Sequence, residues 1–414
     1  MRVLVLVCVA AAVFPWTAAA QEIPISEYAA RRESLREALD GGVFLLIGAT
    51  EDPEGDFLER FSQEPNFYYL TGWTQAGAIL AVGPEKDVLF LPARDPMRDL
   101  WTGRKLSADD DRATETTGFD AVQPSDAFPD WIEGNAESWP SVSTLLDQSG
   151  RVEIEKLLPG RTIEDASLIL ARLRSIKSPA EQALLRRSAR ITVEAHREAW
   201  KRLRPGLFEY QIAATMTGFV LEAGCDGTAY PPIVASGENS VILHYFDLSR
   251  RIGPGDVVLM DVGAECSGYA ADVTRTLPAD GEFTERQREL YEIVLGARDA
   301  VIAQVKPGMF LGKHGRDSLD DLAMGYFRRR GLAKYFTHSI GHHVGLEVHD
   351  PADPNQPLAP GMVITVEPGV YLPEEAIGIR IEEMVLVTED GAVVLTSELP
   401  SEPAAIEQAL ARSN

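Results

Sequence analysis

The chain has 414 residues, 45% of them hydrophobic and 25% charged. That is the make-up of a folded globular protein of roughly two to three domains and excludes a disordered, collagenous or multi-span membrane chain. Its 39 Lys and Arg against 63 Asp and Glu leave a net charge of −24 with no segregated basic face, which excludes nucleic acid as a partner.

The first 21 residues run from Arg2 through an apolar stretch, Val3 to Phe14, to a Pro15 break and Ala18-Ala19-Ala20 before Gln21. This is the pattern of a secretory signal, residues 1–20, cleaved after Ala20. About twelve apolar residues at a 1.5 Å rise reach only about 18 Å, short of the ~30 Å hydrocarbon core, so the segment is not read as an anchor. The mature chain is expected beyond the inner membrane, periplasmic or extracellular, and free of the bilayer. Of the three cysteines, Cys8 leaves with the signal, and Cys225 and Cys266 allow one disulfide at most.

A helical stretch over about 26–39 comes next, followed by short apolar strands such as Val43-Phe44-Leu45-Leu46-Ile47 and Ala78-Ile79-Leu80-Ala81-Val82. Their alternation with polar turns to about residue 170 predicts a small α/β domain over 21–173. Ser178-Pro179-Ala180-Glu181 is a capping box with proline at the first helical position, and it opens a helix over about 181–204. A second domain is expected over 174–414.

That second domain carries a weak internal repeat. A helix ending Arg204-Pro205-Gly206 leads to another helix, and a helix capped by Thr284 and Gln287, ending Lys306-Pro307-Gly308, does the same. The strand from Gly253 to Gly263 then lines up with that from Ala359 to Gly369, so that Asp261 falls on Glu367. Each is followed by a second acid-bearing strand, with Asp272 and Glu382. A turn centred on Cys266-Ser267 would put Asp261 directly across from Asp272. Four carboxylates among Val, Ile, Leu and Met would raise one another's pKa, and a bound cation resolves that conflict. The alternative is that the acids lie on the solvent faces of two antiparallel strands.

The histidines bear on the choice. Four of seven, His338, His342, His343 and His349, fall within one short run that lacks the H-E-x-x-H spacing of helical zinc proteases and reads as a loop or strand edge. His244, after the Gly237-Glu238-Asn239 turn, stands alone. Oxygen donors with a minority of imidazole suit Mn²⁺, Mg²⁺, Co²⁺ or Zn²⁺, and two adjacent ions would explain several bridging acids. Cys266 is read as a bystander to this site. Neither a phosphate-binding loop, a dinucleotide fingerprint nor a G-x-S-x-G elbow competes.

With these residues in place, the chain resembles the proline-specific branch of the pita-bread-fold metallopeptidases, the aminopeptidase P family. The motifs are Asp261 in MDVG, Asp272 in ADVTRT, His342 in GHHVGLEVHD, Glu367 in TVEPG and Glu382 in GIRIE. The N-terminal runs Asn66-Phe67-Tyr68-Tyr69-Leu70-Thr71-Gly72 and Arg98-Asp99-Leu100-Trp101-Thr102-Gly103-Arg104-Lys105 resemble the creatinase/prolidase-type domain of the same family. The resemblance implies an α+β fold: a C-terminal pita-bread domain of duplicated helices and antiparallel strands behind a smaller α/β domain.

It further implies two divalent ions, Mn²⁺ first, with Co²⁺ or Zn²⁺ as alternatives. Asp261 would be terminal on one ion, His342 and Glu367 would hold the other, and Asp272 and Glu382 would bridge. Glu367, His244 and His349 would be catalytic, and His338 and Arg380 would contact substrate. The implied reaction is hydrolysis of the Xaa-Pro bond in peptides by a metal-bridging hydroxide, in a homo-oligomer. One departure is His343, where the family often has an aromatic or large apolar residue. Prolidases, which cut Xaa-Pro dipeptides, share the metal residues, so the length limit stays open at this point, and a silent peptide-binding relative would have lost ligands that are all present here.

Overall fold

The computed structural model describes residues 23–51, 61–148, 150–312 and 318–411, so the signal expected over 1–20 lies outside the described residues. The chain forms a two-domain α+β structure, as expected.

In the first domain α1 (Ile25–Ala38) leads to β1 (Val43–Ile47), α2 (Pro65–Thr71), β2 (Ile79–Val82) and β3 (Asp87–Leu91). There follow α3 (Pro96–Thr102), α4 (Ala113–Thr117), β4 (Ala121–Pro124), α5 (Phe128–Asn135), β5 (Val142–Thr144), α6 (Gly150–Leu157), β6 (Ile163–Asp165) and α7 (Ser167–Ser175). Among the described residues these strands make one sheet, in the order β4-β3-β2-β1-β5-β6. Strand β1 is antiparallel to β2 and parallel to β5.

The central strands are apolar on both faces, and the sheet is buried on both. Phe44, Leu46, Leu80 and Leu89 point to one core with Leu35 of α1 and Leu170 of α7. Val43, Leu45, Ala81 and Val88 point to the other, with Phe128 and Ile132 of α5 and Ile154 of α6. Alternate residues of a strand face opposite ways, so two helical layers are needed to cover a strand with no polar side.

The second domain opens with α8 (Pro179–Arg202) and α9 (Glu209–Glu222). The capping box is formed as read: Glu181 N–H donates to Ser178 Oγ (3.1 Å) and Ser178 N–H to Glu181 Oε2 (2.9 Å). Strands β7 (Gly227–Thr228), β8 (Ile233–Ser236), β9 (Val257–Asp261), β10 (Ala264–Cys266), β11 (Tyr269–Ala270) and β12 (Thr274–Pro278) complete the first repeat. The second consists of α10 (Glu285–Ile302), capped by Thr284 and Gln287, then α11 (Leu319–Arg328), β13 (Val363–Val366), β14 (Gly369–Leu372), β15 (Ile377–Arg380) and β16 (Glu383–Val387). After β17 (Ala392–Val394), α12 (Pro403–Ala411) packs Ile406 and Leu410 into the large core between helices and strands. Among the described residues no helix is long and apolar enough to cross a membrane.

The register of the first hairpin differs from the expectation. Cys266 pairs with Tyr269, and Asp261 pairs with Thr274, not with Asp272. The turn is Ser267-Gly268, whose φ values of 55° and 76° suit the two-residue turn that matches strand twist. A turn one residue further along shifts every cross-strand partner by two.

Cys225, just beyond α9, is disulfide-bonded to Cys266 at the end of β10, across a sequence separation of 41. Cys266 is thus a covalent tie between helix and hairpin, a link of the kind that contributes about 2–4 kcal/mol.

Candidate metal centre

The acids gather because the two hairpins are stitched edge to edge. Asp261 ends β9 opposite Thr274. Hydrogen bonds from Val262 N–H to Val273 O (3.2 Å) and from Ala271 N–H to Ala264 O (2.8 Å) carry the same register onward and place Asp272 opposite Gly263. Asp272 is therefore a diagonal neighbour of Asp261 on one face, within side-chain reach. Gly263 is required there, because a Cβ at that position would meet Ala271 O at 1.7 Å.

In the second hairpin the pairs Val366 with Glu383 and Gly369 with Arg380 put Glu367 across from Glu382. Glu382 N–H donates to Thr274 O (3.1 Å), and Arg380 N–H donates to Thr276 Oγ1 (3.1 Å). These bonds join the hairpins directly.

The histidine run forms no regular element, and its backbone lies along β13. Thr365 N–H donates to His342 O (2.8 Å), Val344 N–H to Val363 O (3.0 Å) and Glu367 N–H to Ile340 O (2.8 Å). Gly341 fits only without a side chain, since a Cβ would meet Thr365 O at 2.1 Å. His342 Nδ1 lies 3.0 Å from the carbonyl of His343, which requires the proton on Nδ1 and leaves the Nε2 lone pair free. Nε2 points at Asp272 Oδ2 (3.3 Å) and Glu367 Oε1 (3.6 Å).

Asp272, His342 and Glu382 each bring a donor atom within 4.8 Å of the others. Asp261 joins them through Tyr230, whose hydroxyl lies 2.6 Å from Asp261 Oδ1 and 2.5 Å from Asp272 Oδ1. One hydroxyl has one proton to donate, so the two carboxylates share a single donor. Burial, then the charges of Asp261 and Glu367, push Asp272 well above the usual carboxylate range. Burial, then Asp272 and Asp261, do the same for Glu382, and burial, then Glu382, raise Glu367 to about 8. Buried oxygen donors short of positive charge, with one imidazole lone pair aimed among them, fit a divalent cation.

A cavity of about 500 Å³ opens onto these groups, and His244, His338, His349 and Arg380 line it. The ring of His349 meets that of His342 edge to face at 4.2 Å. His338 Nε2 lies 2.9 Å from Tyr371 Oη, and burial, then Arg380, hold its pKa down at about 4, so it is neutral. Arg380 is buried, with Nε on Thr274 Oγ1 (3.1 Å), Nη1 on Tyr371 Oη (2.9 Å) and Nη2 on Asp261. Its nitrogens brace the acid side of the cavity. The backbone of His343 bridges to Ile364, and His343 is not among the residues that line the cavity.

Sequence reasoning passed over Tyr230, Thr274, Thr365 and Tyr371. Thr274 stands two residues beyond Asp272 on the same strand face, a signal that was readable. Tyr230 had only the following Pro231-Pro232, which favours extended backbone and says nothing of its partners.

Comparison with known proteins gives a match to "Metallopeptidase family M24" over residues 183–389 and to "Aminopeptidase P, N-terminal domain" over residues 28–141. The Xaa-Pro aminopeptidase of Escherichia coli (strain K12) is 32% identical over 93% of this chain and 98% of its own length. The mitochondrial intermediate cleaving peptidase 55 of Arabidopsis thaliana is 33% identical over 94% of this chain and 83% of its own. Among solved structures, zinc-substituted E. coli aminopeptidase P in complex with product superposes with a TM-score of 0.87 at 30% identity, covering 95% of this chain and 99% of that one.

The raised carboxyl pKa values set a sign for stability. A Glu367 that titrates at about 8, against an ordinary 4.5, holds a proton in the folded state that the unfolded chain has released. Its contribution is complete below about pH 4.5 and is lost as pH rises through about 8, and Asp272 and Glu382 act in the same direction. Chelator-stripped protein should therefore lose Tm relative to Mn²⁺-loaded protein by a margin that widens from about pH 5 to 8. Thermal melts across that range check this; a constant margin would contradict it.

Proposed function

Because the chain belongs to metallopeptidase family M24 and is a metallo-aminopeptidase of the aminopeptidase P type, we propose that it removes the N-terminal residue from peptides whose second residue is proline. The observation that carries this reading is the convergence of Asp272 and Glu382 from two duplicated hairpins and of His342 from the loop beside them, with Asp261 and Glu367 at their edges, onto one cavity.

Asp261 would hold one divalent ion, His342 and Glu367 a second, and Asp272 and Glu382 both. Manganese is the first choice, with cobalt or zinc as alternatives. Bound ions would polarise the scissile carbonyl and acidify a shared water. Glu367 would take the proton from the attacking water and deliver it to the proline nitrogen, which needs it to leave as an amine. His244 and His349, on the cavity wall, would hold the carbonyl oxygen as charge develops on it. His338, kept neutral, would border the pyrrolidine ring, and Arg380, bonded to Asp261, would hold that carboxylate in place while lining the substrate side. A bond to proline is a tertiary amide without N–H, and a site that reads the free amine and the ring has no need of that donor.

We further propose that the mature chain works outside the cytoplasm, periplasmic or extracellular, as a homo-oligomer. The leader pattern supports export, as does the Cys225–Cys266 disulfide, a bond that persists in oxidising compartments. Met97, Leu100 and Trp101 on α3, exposed at 66–80%, support self-association through that helix.

Three measurements follow. The metal-loaded protein should release the first residue of Xaa-Pro-Yaa tripeptides; chelation should abolish this, and Glu367→Ala should lower kcat by about 10²–10⁴-fold. Turnover of Xaa-Pro dipeptides alone would make the enzyme a prolidase, and no metal-dependent turnover of either would overturn the reading. N-terminal sequencing of exported protein should begin at Gln21, and recovery only of intact chain from the cytoplasm would contradict export. Light scattering should give a multiple of the chain mass that Leu100→Glu lowers, and a monomeric parent protein would rule out the oligomer.

A further inference from the structure

One buried carboxylate has no part in the reaction outlined above. Glu209, the first residue of α9, is fully buried. Its Oε1 accepts from Ser236 N–H (2.7 Å), Ser236 Oγ–H (2.7 Å) and Asn239 Nδ2 (3.1 Å). Its Oε2 accepts from the Tyr245 hydroxyl (2.8 Å) and Arg250 N–H (3.0 Å).

All of these donors belong to one segment, residues 236–250, and they come from its start, its middle and its end. The backbone adds to the grip, with Glu209 N–H on Arg250 O (3.1 Å) and Tyr210 N–H on Leu248 O (3.0 Å). His244 sits on this segment, exposed on the cavity wall, its ring stacked near Phe246 at 6.1 Å. Tyr245, the next residue, is buried against Ile233, Leu259 and Tyr371 with its hydroxyl on Glu209. The backbone that carries the imidazole is thus anchored through its neighbour, and that neighbour is held by the carboxylate.

We propose that Glu209 is the positioning residue for His244, a buried anion that gathers the donors of the 236–250 segment and so fixes the imidazole at the reacting carbonyl. This rests on the function proposed above for the same cavity. An amide of that shape replaces it poorly: it has one acceptor oxygen in place of two, and whichever way it turns its NH₂ would face a backbone N–H that can only donate, that of Ser236 or that of Arg250. A misplacement of about 1 Å at such a group is enough to cost 10²-fold in rate.

The test uses the full-length, metal-loaded protein and the variants Glu209→Gln, Tyr245→Phe, His244→Ala and the Glu209→Gln/His244→Ala pair. Glu209→Gln is expected to lower kcat by about 10- to 100-fold, with KM changed less and metal content per chain unchanged. Tyr245→Phe, which deletes a single hydroxyl and keeps the packing, should move kcat the same way by less. In the His244→Ala background Glu209→Gln should add under about twofold, because the group it positions is gone. A full multiplicative loss in that background, or loss of metal in step with activity, would make Glu209 merely structural and overturn the proposal.

A readout independent of turnover separates this inference from the functional one. In ¹⁵N-histidine-labelled protein the His244 ring resonances, identified by their disappearance in His244→Ala, should shift or broaden in Glu209→Gln and Tyr245→Phe. Unchanged His244 resonances in both would overturn the positioning role, whatever the peptide assay reads, whereas an inactive parent protein with shifted resonances would overturn the peptidase reading alone.

Discussion

The structure depends on holding like charges together. Asp261, Asp272, Glu367 and Glu382 lie within one patch of the interior, and carboxylates so placed repel one another and favour the separation of whatever carries them. The scaffold must be rigid enough to refuse. The strand alternation of the two central hairpins answers this need. On the site face, Thr274 Oγ1 donates to Glu382 Oε2 (2.7 Å). On the opposite face the next residue of each strand makes the complementary bond: buried Arg275 reaches Glu383 Oε1 (2.5 Å) and also the carbonyls of Glu382 (2.7 Å), Leu399 (3.0 Å) and Pro400 (3.1 Å). Arg298 adds a second guanidinium to Glu383 (2.9 Å). The period of two puts the repulsive cluster on one side of the sheet and an attractive one directly behind it.

Much of this is visible in the sequence because it is local or periodic. The capping boxes at Ser178 and Thr284, the apolar run at Val43–Ile47 and the duplicated helix-helix-hairpin order all depend on neighbours a few residues apart, and the structure reproduces them. The acids were legible because the repeat puts Asp261 on Glu367. Their pairing was not, since register depends on which two residues take positive φ, and Ser267, an L-residue at 55°, is not an obvious choice for that role. Tyr230 and Glu209 were invisible for another reason. Their partners lie up to 42 residues away in sequence, and no periodicity links a side chain to a strand it meets only after folding. The Cys225–Cys266 bond likewise requires knowing that the end of α9 comes down beside the hairpin tip.

The first domain has a bearing on the centre although it supplies none of the candidate ligands. Arg174, at the end of α7, donates to Asn66 Oδ1 (2.8 Å) on α2, to Glu347 Oε2 (2.8 Å) and to Asp350 Oδ1 (2.6 Å). Lys177 Nζ reaches the other oxygen of Asp350 (3.1 Å), and Asp350 N–H closes the loop on His343 O (3.0 Å). Asp350 directly follows His349. The loop that presents His342 and His349 is therefore held at its far end by Arg174 of α7 and by Lys177 just before α8, and because Arg174 also grips α2, the seating of the first domain bears on the geometry of the cavity.

Asp350 also explains why the neighbouring acids call for something from outside the chain. It is as buried as Asp272, yet two cations of the protein face it, and they overcome the effect of burial and hold its pKa below the usual carboxylate range. The direct partners of Asp272 and Glu382 are Tyr230, His342 and Thr274, which carry no permanent positive charge, and both carboxyls are driven the opposite way. Both kinds of acid lie in one domain and against one histidine loop. Burial alone cannot separate them, because both are buried; the difference lies in whether the chain provides the countercharge. Where it does, as at Asp350, the site is closed and structural. Where it gathers acids without such partners, as at Asp272 and Glu382, the donor set fits a divalent cation, and binding one would relieve the repulsion that the chain itself leaves unmet.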